Sequence, residues 1–247
     1  MMRCGLRQIG GTAAVLALGV ALVAPASLAA AGVAASTATA EATAINLRPS
    51  DLPSSVKWST APQAALNKAT RAAAKTAAAC LRAAGAASGD AFGALGQAGG
   101  IVLADVRSPQ ITEKGSIGVP AANSEVLVLN SAAAADKDLA AVARHAAISC
   151  LAAQFAADSA AQGGGTKATG SLQGAPHYGD GNHGVHIQLI NTGGPLPFKL
   201  YNDEYFYVQG PVEVVFSFLN LSSPFNMAWA ERAIKAVMGR AAAVAGK

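Results

Sequence analysis

Four side chains able to bind a metal or move a proton fall within ten positions: His177, Asp180, His183 and His186, in the stretch HYGDGNHGVH. Imidazole and carboxylate are ligands that zinc and copper accept, and four donors suffice for a tetrahedral site. Gly179, Gly181 and Gly184 give the stretch the freedom to wrap an ion. Against this, ordering so free a loop costs entropy, and the spacing matches neither a helical HExxH nor a zinc-finger pattern. Gly-Asp-Gly-Asn is also turn chemistry. On that reading Asp180 shapes the chain, and His186 sits on the polar side of the strand that follows. We take the polar turn first and the metal site second, and expect no cofactor.

Tyr201, Tyr205 and Tyr207 share strand parity with Asp203. They are the candidate ligand-binding residues, because tyrosine joins an apolar ring to a polar tip and suits an aromatic or sugar ligand. The competing reading is that tyrosine simply favours half-buried strands. Catalytic patterns find less support. There is no GxSxG elbow. Ser149 and His145 share a helix face but have no orienting acid. Asp203 and Glu204, being adjacent, point to opposite faces of a strand. Gly163, Gly164 and Gly165 follow a helix instead of opening one, so they make no phosphate cradle. The expectation is a protein without catalytic activity, hence not an enzyme.

The compartment is read from the first residues. Arg3 and Arg7, an apolar run over 12–24 and small residues over 25–31 have the form of a signal peptide, assigned to 1–29. Cleavage is expected after Ser27-Leu28-Ala29, with Ala38-Thr39-Ala40 as the alternative. The run is shorter than the ~20 residues that span a bilayer, so a retained anchor is the lesser reading and no stable span is expected after cleavage. Residues 30–44, poor in large apolar side chains, read as a disordered Ala/Ser/Thr linker. A single domain then occupies 45–247.

Removing 1–29 takes away two arginines and no acid, which lowers the net charge from +4 to +2. So small a charge, without a Lys/Arg block, argues against nucleic acid as a partner. Cys80 and Cys150 remain, and an even pair in an oxidising compartment is expected to bond. Two free buried thiols are the alternative.

Helices are expected over 62–84 and 132–162, each with a cysteine on its inner stripe, and from Ser223-Pro224 onward. Strands are expected over 101–106, 125–129, 185–189, 199–208 and 212–221. The order of elements predicts an α+β fold: an antiparallel sheet with two long disulfide-linked helices and a C-terminal helix packed on it.

Three features together carry a family resemblance: CLxxxG at 80–85, VLVLNSAAAA at 126–135 leading to Cys150-Leu151, and a strand-rich last third closed by a helix. The chain resembles secreted actinobacterial sensor-type domains, similar to the extracellular domain of PknH-like transmembrane Ser/Thr kinases. The resemblance implies ligand binding in a cleft between helices and sheet. It does not imply linkage to a kinase, since the chain has no kinase domain and no second membrane segment. The leading expectation is a secreted, monomeric ligand-binding or sensor-like domain, its partner an unidentified small molecule. A cell-envelope protein-interaction module that binds another protein through the tyrosine-bearing sheet is the alternative. A metal-dependent hydrolase using the histidine loop comes third.

Overall fold

Strand β8, Val212–Leu221, directs Val212, Val214, Phe216 and Phe218 to one side and Val215 to the other, and all five are buried. A strand that is apolar on both sides needs cover on both faces of its sheet. The computed structural model, which describes residues 26–62, 68–87, 101–116, 119–161, 167–191 and 198–246, provides that cover with helices.

The sheet is antiparallel throughout. Its strands are β1 (Trp58–Ala61), β2 (Val102–Arg107), β3 (Gln110–Glu113), β4 (Ala121–Leu129), β5 (Lys167–Gln173), β6 (Gly181–Asn191), β7 (Phe198–Gln209) and β8. Their order is β1-β3-β4-β8-β7-β6-β5, and β2 lies end to end with β3 along β4. On one face, α1 (Ala26–Ile45) and α5 (Met227–Ala245) cover Tyr205, Tyr207, Val214, Phe216 and Phe218. On the other, α2 (Lys68–Ala83), α3 (Ala132–Val142) and α4 (His145–Ala161) cover Leu127, Phe206, Val208 and Val215. The α+β fold is therefore as expected, with the sheet held between two helical layers. No single helix among the described residues is long and apolar enough to cross a membrane.

Four local expectations need correction. The linker over 30–44 is instead part of α1, with Ala38, Ala42 and Ile45 in the core. Alanine is the best helix former, and a stripe of methyl groups lets α1 lie close on β2 and β4. The helix over 132–162 is two helices bent by 80°. The bend lets α3 rest on β6 and β7 while α4 follows β5, and no proline or glycine marks it. Third, α5 starts later than Ser223-Pro224: its N-cap is Asn226, which accepts from the Trp229 amide at 3.2 Å. The chain bends at Ser222 and Ser223 and is then fixed at Phe225, whose amide is held by Asp203 and whose ring is buried. Finally, β1, β3 and β5 were not foreseen, being short or polar on both sides. Most of the signal segment (1–25), the loop over 89–100, the glycines at 163–165 and the turn at 193–195 lie outside the described residues.

The two ends of the domain meet at Arg240 of α5. Its guanidinium donates to the carbonyls of Ile45 and Asn46 and to both oxygens of Asp51, at 2.7–3.0 Å. The last carbonyls of a helix lack intrahelical partners and carry partial negative charge, so a cation fits the end of α1. Asp51 is buried and also accepts from the Arg48 amide. Arg240→Ala strips the carboxylate of its cation and two carbonyls of their donor. It should cost about 2–4 kcal/mol of unfolding free energy, read from urea denaturation. A loss below ~0.5 kcal/mol would mean that water replaces the guanidinium without penalty.

Candidate functional site

The histidine stretch is fastened down by Asp180. Its amide donates to the Val208 carbonyl, and its carboxylate accepts from the Gly210 amide at 2.7 Å and from the Gln209 side chain. Gly179 before it has φ +71°, and a Cβ there would stand 2.4 Å from the Val208 carbonyl oxygen, so only glycine fits. Tyr178 and Ala175 pack on the core beside α5, and the Tyr207 hydroxyl donates to the Pro176 carbonyl. The loop is thus a cover for the edge of the core, and Asp180 turns the chain.

The candidate ligands part company. His177 is exposed. Residues three apart in a strand face opposite ways. Accordingly His183 lies opposite Phe206 on the α2–α4 side, and His186 lies opposite Asp203 on the α1–α5 side. Among the described residues no group of three or more His, Cys, Asp or Glu is placed to hold a metal.

His186 instead pairs with Asp203, Nδ1 to Oδ1 at 2.5 Å. Asp203 is 3% exposed and also accepts from the Phe225 amide and from Gln173 Nε2. Ser171 stands opposite His186 on β5, but no hydrogen bond joins them. The pair therefore lacks an attached nucleophile, and what it demonstrably holds is the connection from β8 to α5.

The three tyrosines are also divided. Tyr201 is half-buried, with its ring 5.6 Å from that of His186 and its hydroxyl accepting from Gln188. Tyr205 and Tyr207 are 1% and 0% exposed, with hydroxyls on Met227 Sδ and the Pro176 carbonyl. Burial pushes both phenols above their ordinary pKa. They are core residues, and the expected accessible tyrosine surface is not formed. Shared parity is respected, but α5 covers this face at 205–207 and leaves it open at 201.

Glu204, one residue beyond Asp203, points to the opposite layer and is 1% exposed. Asn202 Nδ2 donates to its Oε1 at 2.7 Å, and Ser217 Oγ donates to Asn202 Oδ1 at 2.7 Å. Its second oxygen has no partner. Burial pushes this carboxyl up to about 8; the Asn202 bond opposes the rise and the neighbouring Asp203 adds to it.

A cleft lies elsewhere, between α2 and α4. Cys80 and Cys150 are bonded across it, their Cα atoms 6.0 Å apart. For a closed loop of this length the bridge contributes roughly 4 kcal/mol by chain entropy. Ala77, Ala153 and Ala157 supply methyl walls, and small side chains at helical spacing are what keep the slot open. Among the described residues Thr76 and Gln154 add polar groups, in a volume of about 280 Å³. Thr76, Gln154 and Ala157 were missed in the sequence. The available signal was Gln154 itself, a polar residue on the apolar stripe four positions beyond Cys150.

Compared with protein-family models, with characterised proteins and with solved structures, the chain finds no match.

Glu204 offers a direct test of this electrostatic arrangement. Its folded pKa stands above the ordinary 4.5, so the folded state holds a proton that the unfolded chain has released. The associated stability is full below about pH 4.5 and is lost as pH rises through about 8. Glu204→Gln keeps the acceptor for Asn202 and removes the titration. In urea denaturation the variant should match the wild type at about pH 5 and exceed it by more than ~1 kcal/mol at about pH 8.5. Equal pH slopes for the two proteins would show that Glu204 is ionised inside.

Proposed function

We propose that the chain is an extracytoplasmic ligand-binding domain of the sensor type, acting by binding and not by catalysis, with the cleft between α2 and α4 as its site. The observation that carries this reading is the cleft itself: mostly apolar walls, about 280 Å³, with Thr76 and Gln154 in the lining. Binding sites for small molecules have this character, mostly apolar with few polar groups that fix orientation. The Cys80–Cys150 bond supports an oxidising compartment. The sensor-type resemblance supports a cleft site, although here the slot lies between two helices and not between helix and sheet.

The other readings have lost what they rested on. Protein recognition through tyrosines required Tyr205 and Tyr207 at the surface, and they are buried. The metal-dependent hydrolase required His177, His183 and His186 to converge, and they point apart. The test is ligand-observed NMR with a library of small neutral fragments, on the oxidised wild type and on Ala153→Trp. Ala153 is exposed at the mouth of the cleft, so the indole fills it without disturbing the core. Fragments should bind the wild type and lose binding in the variant. Fragments that bind both proteins equally, or none at all, would sink the cleft as the site.

A further inference from the structure

We infer that the part of the α1–α5 face left open beyond α5 is a second binding surface, which takes a carboxylate-bearing glycan across Tyr201 and His186, between Lys167 and Lys199. It lies on the opposite side of the sheet from the α2–α4 cleft, so it stands or falls independently of that site.

The strand register lays the surface out in rows. Lys167, Ile190 and Lys199 are cross-strand neighbours on β5, β6 and β7. Two residues further along each strand come Thr169, Gln188 and Tyr201, and then His186 beside Asp203. Residues two apart on a strand share a face, so all of these lie on one side of the sheet. Lys167, Thr169 and Lys199 are exposed, and His186, Gln188 and Tyr201 are half-buried, whereas Tyr205 and Tyr207 on the same face are covered by α5.

The aromatic part is fixed before any ligand arrives. Asp203 accepts from His186 Nδ1 at 2.5 Å, yet the imidazole remains 24% exposed. The Tyr201 ring stands 5.6 Å from it with the planes 37° apart, and Gln188 donates to the Tyr201 hydroxyl at 3.1 Å. Side chains already held in place lose little freedom when a ligand binds. A sugar ring carries C–H groups on its faces and hydroxyls around its rim. Its complement is an aromatic ring with amide and hydroxyl groups beside it, which Tyr201, Gln188 and Thr169 supply.

Charge selects among sugars. Neither lysine has an acidic partner among the described residues. Asp203, the acid of these rows, is buried and taken up by its three donors. Segments 162–166 and 192–197, which precede β5 and β7 in the chain, contain no charged residue. The surface is therefore cationic. Its lysines stand two strand spacings apart, ~10 Å across the sheet. Charges repeated along a chain of rings match that separation, while a compact anion reaches one lysine only. Lysine meets a carboxylate as a point charge, without the fixed fork of arginine, so it suits charges that are spread out along a chain.

Other anionic partners use less of what is there. Nucleic acid is held by more cations than two. A lipid surface calls for exposed apolar side chains, but Leu172 belongs to the opposite face and Met227 to α5. An acidic peptide would meet the lysines and leave the Tyr201 ring idle.

The experiment titrates hexagalacturonate, neutral maltohexaose and hexaglutamate into the oxidised full-length protein by calorimetry at low ionic strength. Hexagalacturonate should bind at least tenfold more tightly than either of the others. Lys167→Gln combined with Lys199→Gln should bring it down to the level of maltohexaose with the melting temperature unchanged, since both side chains are exposed. Tyr201→Ala should weaken hexagalacturonate at least tenfold and leave hexaglutamate as it is. Ala153→Trp, in the cleft, should leave all three as they are. Hexaglutamate that binds as tightly as hexagalacturonate, or undiminished hexagalacturonate binding in Tyr201→Ala, would overturn the glycan as the ligand. Hexagalacturonate binding that survives the double lysine change, that vanishes in Ala153→Trp, or that is absent from the wild type would overturn the surface itself.

Discussion

Strands β7 and β8 are buried on both faces, and most other features follow from that constraint. A two-sided strand leaves no solvent for its polar residues, so each must be satisfied inside. Asp203 and Glu204, consecutive on β7, meet the demand in two ways. Asp203 faces α5 and collects three donors, from His186, Gln173 and the Phe225 amide. Glu204 faces the other layer, has one donor, and holds a proton instead. Tyr205 and Tyr207 are drawn into the same scheme: their rings fill the core and their hydroxyls reach its rim. Polar residues that looked like a functional face along the chain are thus largely occupied with internal bonding.

The helical layers are built from small side chains. Ala38, Ala42, Ala233 and Ala241 are buried on the α1–α5 side, and Ala77, Ala147 and Ala152 on the other. Alanine pays no side-chain entropy on folding but contributes little burial per residue. The domain compensates with point attachments: the Arg240 cluster joins α5 to the end of α1, and the disulfide joins α2 to α4. Between α2 and α4 the same small residues leave a slot, so the cleft is a by-product of the composition that builds the layers.

The parts of the fold set by periodicity were legible. Alternation in 185–189 and 212–218 revealed β6 and β8, and the cysteine pair was readable from number and compartment. What was hidden depended on contacts across the chain. Nothing local marks the bend at Ala143 and Arg144, since α3 and α4 each follow strands that are distant in sequence. The linker reading of 30–44 failed because large apolar residues were sought, while α1 packs through methyl groups. Among the site residues, parity placed the tyrosines on one face but not under α5. Gln154 was visible as an anomaly whose meaning needed α2 beside it.

The pairing of β4 with β8 has a consequence for how the chain is made. These neighbours in the middle of the sheet are separated by roughly eighty residues, and β8 is the last strand in the sequence. At ~10 residues per second, about eight seconds of synthesis pass between them. Throughout that interval β2, β3 and β4 present an apolar strand edge with no neighbour on it. The hazard of edge-to-edge association therefore belongs to the half-made chain. Late closure of this kind favours holding the polypeptide extended until β8 has emerged.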